Sequence, residues 1–205
     1  MKPRKKNYHH GNLKEELVSK GLQILKEDGI ESLSLRKLAL ELKVTVGAPY
    51  KHFKDNEELL SEIAVKGFEL LKEKLEDVIK KYPNQFLKQF QEAGISYVEF
   101  AFENEEIFRL MYGSKIKDHS KYENLKKIGD ESFKVLYSIV KKCQEKEILK
   151  KANTDSIVLA AWSLVHGLSI LIIDKQLNFS IFDKSEIRKL ILNLQKQFFV
   201  GTKAK

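Results

Sequence analysis

The chain has 205 residues, of which 42% are hydrophobic and 32% charged, and its formal net charge is +8. That length can bury a substantial core in one or two domains, while three Pro and ten Gly are too few for a turn-dense β architecture. A single cysteine, Cys143, excludes an intramolecular disulfide and a cysteine metal cluster, and fits a reducing cytoplasm.

The positive charge is concentrated early. Residues 1–55 hold twelve Lys/Arg against seven Asp/Glu, and the opening MKPRKKNYHH holds four cations and no acid. Such an arm points to a polyanion, nucleic acid or anionic lipid, or else serves only as a solubilising tail. No apolar stretch follows these cations, so no secretory signal is expected. His9 and His10 read as arm residues near phosphates rather than metal ligands, because no cysteine lies nearby and adjacent side chains diverge; no metal or cofactor is expected.

Helical signals follow in order. Asn12 and Glu15 have capping-box spacing ahead of an apolar face of Leu13, Leu17, Val18, Leu22 and Leu25, and Asp28-Gly29 stops that helix. Ser34 is placed to cap a short second helix through Leu42, with Leu35, Leu38, Ala39 and Leu42 inward. Asp55 and Glu58 form a second capping box, opening a long helix that Tyr82-Pro83 ends.

Beyond Pro83 the chain becomes aromatic, with Phe86, Phe90, Tyr97, Phe100, Phe102, Phe108, Met111 and Tyr112 inside thirty residues. A loop is expected near 115–121, then helices over about 122–146, from about Thr154, and after an Asp183/Glu186 capping box. Ile157–Ile173 is 17 residues without a formal charge, the short limit for a membrane span. Ser163, His166, Gly167 and Ser169 within it favour a helix buried on two sides, in its own core and against a partner. No membrane attachment is therefore expected.

The segment LSLRKLALELKVTVGAPYKHF has helix-turn-helix dimensions. Ala39 sits at the expected helix crossing, Val44 anchors the second helix, and Thr45 can cap it. Arg36, Lys37, Lys51 and Lys54 lie near one face.

Here the sequence resembles the TetR family of transcriptional regulators. The resemblance runs from GNLKEELVSKGLQILKEDGIESLSLRKLA through VTVGAPYKHFKDNEELL, almost all of residues 11–60. YHHGNL near the start and AWSLVHGL, Ala161 to Leu168, further resemble a subgroup with a Trp-x3-His-Gly signature in the ligand domain. One departure is Lys43, where the family usually has glycine in a left-handed turn; a side chain there costs about 1 kcal/mol.

The resemblance implies an all-α fold, with a three-helix helix-turn-helix DNA-binding domain and a larger helical domain for ligand binding and dimerisation. The expected boundaries are a basic arm (1–10), the DNA-binding unit (11–55), a connecting helix (56–82) and the ligand domain (83–205). Thr45–His52 would be the recognition helix in a major groove. Val46, Gly47 and Ala48 are slim enough to approach base edges. Tyr50, His52, Lys54, Thr45 and Ser34 suit phosphates. Lys51 offers a hydrogen bond near the bases, or is simply solvated. Arg36 and the arm, including Lys5 and Lys6, add cations, and the arm could enter a minor groove. Phe53 is expected in the core.

In the ligand domain, Phe100, Phe108, Met111 and Trp162 are expected to wall a mostly apolar cavity. His166, four residues after Trp162, is either a satisfied core histidine or a group that orients the ligand. The partners implied are an operator in double-stranded DNA, a small-molecule effector, and a second copy held through the last two helices. No paired nucleophile and base, phosphate-cradling loop or carboxylate pair argues for an enzyme. A basic protein binding nucleic acid without sequence preference is the main alternative.

Overall fold

The computed structural model describes residues 12–177 and 183–202. Eight α-helices form among them: α1 (Leu13–Asp28), α2 (Leu35–Glu41), α3 (Asn56–Lys81), α4 (Phe86–Glu103), α5 (Glu105–Tyr112), α6 (Glu123–Glu145), α7 (Thr154–Ile173) and α8 (Lys184–Thr202). No strand forms among the described residues.

The helix boundaries follow local chemistry. Gly29, with φ 77°, ends α1 as only an unsubstituted Cα does easily. Ser34 accepts the Lys37 amide at 3.1 Å, a cap that stabilises a seven-residue helix by about 1 kcal/mol. Asp55 accepts the Glu58 amide at 2.9 Å, and the Glu58 carboxylate takes the Lys54 amide at 2.6 Å. Asp183 caps α8 through the Ser185 and Glu186 amides. The expected box at Asn12 does not form. Asn12 occupies the cap position of α1, but its side chain accepts no capping bond.

The buried apolar side chains form one continuous cluster from Leu13 to Ile191. In the first part, Leu17, Leu25, Leu35, Leu38 and Phe53 close around Leu59 and Ile63 of α3. The same helix then turns Phe68, Leu71 and Leu75 toward α4, α5 and α6. α7 lies against α4 and α6, and α8 against α4. α7 is long and apolar enough to cross a membrane by length and composition, with a mean hydropathy of 2.1. Its Val158, Val165, Leu168 and Ile172 face are instead packed into this core.

Candidate DNA interface and ligand cavity

The helix pair at the basic end is held by backbone economy. Ala39 is fully buried at the crossing, and its carbonyl accepts the Val44 amide at 2.9 Å. Lys43 adopts φ 56°, the left-handed turn its position demands, with its side chain exposed.

Thr45–His52 is not the regular recognition helix that the sequence led us to expect. Only Pro49–Lys51 forms a 3₁₀ turn, preceded by a looser turn in which the Ala48 amide bonds to the Thr45 carbonyl at 2.9 Å. The cause is Pro49, which has no N–H to reach back to Thr45 in α-helical register. The segment closes with the Phe53 amide on the Pro49 carbonyl at 3.0 Å. Thr45 supplies its carbonyl here, and no side chain caps the turn.

Side-chain directions divide the expected DNA set. Pro49 and Phe53 are buried, and Ala48 packs against the core rather than facing outward. His52 is half-buried. Thr45, Val46, Gly47, Tyr50, Lys51 and Lys54 are exposed, Tyr50 by 54% and Val46 by 48%. A methyl added at Gly47 would meet nothing within 4 Å, so nothing inside the chain requires a glycine there. Arg36 is exposed one turn before Leu40, an apolar residue 66% exposed on the same face of α2. Lys37, by contrast, is held in an ion pair with Asp28 at 2.8 Å. Ser34 uses its oxygen as the α2 cap, which leaves its hydrogen available to a donor role. Lys5 and Lys6 lie outside the described residues.

At the far end of α3 is a partly open cavity of about 330 Å³ lined by α3 to α8. Its wall is overwhelmingly apolar: Phe68, Leu71 and Leu75 from α3, Phe90 from α4, Leu136 from α6, Val165 from α7 and Phe198 from α8. Trp162 lines it. Phe100, Phe108 and Met111 do not; all three are buried in the packing behind Tyr97 and Tyr112, which take their place. Helical spacing placed the aromatic residues on helices but could not show which of them the cavity reaches.

His166 also stands behind the wall. The Trp162 indole N–H donates to the Tyr97 oxygen at 3.1 Å, and that hydroxyl lies 2.9 Å from His166 Nδ1. Indole can only donate, so the Tyr97 oxygen accepts from Trp162, and the same hydroxyl is shared with His166 Nδ1 and the Tyr112 hydroxyl. Desolvation lowers the His166 pKa and favours the neutral ring. Burial raises the Tyr97 phenol far above its ordinary value and pushes Tyr112 up to about 12. These rings are uncharged structural donors and acceptors. Cys143 is similarly inert, its thiol pushed up to about 12 by burial.

The two ends are connected by α5. Its Tyr112 lines the cavity, and its Ile107 and Met111 lie so close to α3 that a methyl on Gly67 would come within 2.7 Å of both. Arg109 bonds the Ile173 carbonyl at 3.0 Å and pairs with Asp174, closing the C-terminus of α7 with a cation. α5 also packs on α1 of the basic unit.

Known proteins match the chain in both parts. The family model described as "Bacterial regulatory proteins, tetR family" matches residues 17–63. The model described as "Tetracyclin repressor-like, C-terminal domain" matches residues 90–192, half of the chain. An uncharacterised HTH-type transcriptional regulator of Haemophilus influenzae is 30% identical over 118 residues, 57% of this chain and 59% of that protein, so the match spans under two thirds of the relative. A solved structure of a protein of unknown function from Rhodococcus sp. RHA1 is 28% identical, with a TM-score of 0.84 over 98% of this chain and 100% of that one. A TetR/AcrR family regulator from Thermobifida fusca shares the fold at 14% identity, with a TM-score of 0.68 over 89% and 96% of the two chains. The helix-turn-helix, the helical second unit and both family matches agree: the chain belongs to the TetR family of transcriptional regulators.

Proposed function

We propose that the protein is a homodimeric, sequence-specific repressor that leaves its operator when a mostly apolar small molecule fills the cavity. The observation that carries the reading is the surface from Lys43 to Lys54. It has three lysines and no acid, and it exposes Val46, Gly47, Tyr50 and Lys51, which no packing inside the chain requires to be outward. In the groove, Val46 and Gly47 approach base edges and Lys51 reaches for an acceptor. Thr45, Tyr50, Lys54, Arg36 and the hydroxyl of Ser34 hold the phosphates. His52 and Ala48 support this surface from the side, and Lys5 and Lys6 extend it along the backbone. With so few base-reading groups, DNA shape supplies part of the specificity.

The dimer is proposed through α7 and α8. Leu159, Leu171 and Val200 are exposed there, and Leu164, Ile170, Leu190 and Leu194 are half-buried, so an apolar face remains after the single-chain core is complete. Two such helix pairs form a four-helix seam. Gly167 lies exposed on it, with nothing within 4 Å of an added methyl, which leaves room for close approach. The Trp162, His166 and Gly167 signature supports assignment to the subgroup that carries it. A two-fold dimer puts its two reading surfaces about 34–36 Å apart, or a multiple of this, on the duplex.

Ligand acts through Tyr112. Filling the cavity displaces α5, which bears on α1 and α3, and so selects a spacing that does not match the operator. Selection of bound duplexes from a random pool, followed by titration against excess non-specific DNA, tests the reading. A specific regulator enriches a palindrome and stays on it under competition. Loss of binding to competitor, with no enriched sequence, would instead identify a non-specific nucleic-acid-binding protein.

A further inference from the structure

Gln195, a residue of the cavity wall, carries one polar atom that its surroundings leave without a partner and that is closed to solvent in this structure. Gln195 of α8 is only 2% exposed and lines the cavity. Its Nε2 donates to the Gln91 carbonyl at 3.1 Å, and the amide passes directly over Gly94, where an added methyl would lie 2.4 Å from that nitrogen. Because the nitrogen must face the Gln91 carbonyl, the amide cannot be flipped, and the other end is an acceptor. That atom, Oε1, is the one buried side-chain nitrogen or oxygen among the described residues with no hydrogen-bond partner. An unsatisfied buried acceptor costs about 1–3 kcal/mol.

The other buried or half-buried polar side chains on the wall are already engaged, the Tyr112 hydroxyl with that of Tyr97. The Tyr97 hydroxyl is held between Trp162 and His166, and Ser132 donates to the Ile128 and Phe68 carbonyls. No lysine or arginine lines the cavity, and its one ionisable carboxylate, Asp130, is exposed at the rim. An anionic headgroup would thus enter an apolar space, meet a carbonyl oxygen and find no counter-charge, an expensive desolvation.

We infer that the ligand is an uncharged, mostly apolar molecule carrying a hydroxyl or N–H, and that Gln195 Oε1 accepts this hydrogen bond. The inference rests on the cavity being the effector site, and it adds a chemical requirement to that reading. Selectivity follows from the same asymmetry that lets a buried polar group reject an analogue lacking its partner.

The test uses the full chain and three nine-carbon probes: 1-nonanol, its isomer 1-methoxyoctane, which lacks the donor, and nonanoate. Trp162 is the sole tryptophan and lines the cavity, so its fluorescence reports occupancy. The expected result is about tenfold tighter binding of the alcohol than of the ether, with the carboxylate weakest. In Gln195→Met the alcohol's advantage over the ether disappears while the ether still binds. The comparison of isomers on the unaltered protein stands even if the variant fails to fold. Equal affinity for alcohol and ether overturns the donor requirement and leaves the cavity as a binding site. Tightest binding of nonanoate overturns the requirement for an uncharged ligand. If none of the three perturbs Trp162 or raises the thermal midpoint, the cavity reading falls and takes this inference with it.

Discussion

Trp162 and His166, one turn apart on α7, meet on a single oxygen of α4: the indole donates to Tyr97 Oη at 3.1 Å, and that hydroxyl lies 2.9 Å from His166 Nδ1. Two residues of the family-like signature therefore serve to fix α7 against α4 and to hold the indole face at the cavity.

Tyr97→Phe keeps the ring and removes this shared atom. It leaves a partly buried indole N–H and an imidazole nitrogen without their partner, so a loss of about 1–3 kcal/mol is expected in urea unfolding. Trp162 emission should shift as the indole is released. An unchanged midpoint together with unchanged emission would show that the bond contributes nothing in solution.

Gly47→Ala separates folding from DNA binding. The added methyl meets nothing in the chain, and Gly47 is not in the left-handed region, so stability should stay equal or rise by about 0.4–1 kcal/mol. Operator affinity should fall by about 1–3 kcal/mol, the scale of a mismatched base contact. A drop in melting temperature without a change in affinity contradicts the groove-facing assignment.

Gly67→Ala tests the contact between α3 and α5. Ile107 Cγ2 and the Met111 sulfur would both lie within 2.7 Å of the new methyl, so the helices must separate. Overpacking of this kind costs about 1–3 kcal/mol, readable in thermal or urea unfolding. It should also weaken the ligand's effect on DNA affinity more than it weakens ligand binding itself, as measured by comparing ligand affinity with and without operator.

Acid should loosen α8 from α4. Burial alone would raise the Glu92 pKa, but hydrogen bonds from Arg188 and Lys88 overcome it and hold the carboxyl below the usual range. Glu103 is lowered against burial in the same way by Lys184 and Lys74. Groups lowered in the folded state add stability above the unfolded carboxylate pKa of about 4.3 and lose it as pH falls through the folded value. Stability should therefore decline below about pH 4. Glu92→Gln should reduce this acid dependence and cost about 1–2 kcal/mol at pH 7, since Arg188 remains partly solvated.

Much of the architecture could be read in advance, because it depends on local signals. Ser34, Asp55 and Asp183 cap the helices they were expected to cap, and the left-handed turn falls on Lys43 in spite of its side chain. Asn12 does not cap because its backbone, at φ −127° and ψ 11°, lies outside the extended region that Ser34 and Asp55 occupy. The broken helical register at Thr45–His52 was foreshadowed by Pro49. The cavity was harder. Phe100 and Phe108 are as aromatic as Tyr97 and Tyr112, and only the rotation of α4 and α5 against four other helices decides which reach the void. Gln195 carries a signal in the sequence: it interrupts the apolar face of Ile187, Ile191, Leu194 and Phe198 one turn after Ile191, where a polar side chain needs a reason.

The 26 residues of α3, about 39 Å at 1.5 Å per residue, belong to both ends of the molecule. Leu59 and Ile63 complete the pocket of side chains around α1, and Phe68 to Leu75 wall the cavity. No seam runs between the two, so the chain should melt in a single cooperative step rather than in stages. A fragment cut after residue 55 would carry the whole reading surface and yet leave Leu17 and Leu25 open to water. The proposed reading surface cannot be lent to another chain without the rod whose far half walls the cavity.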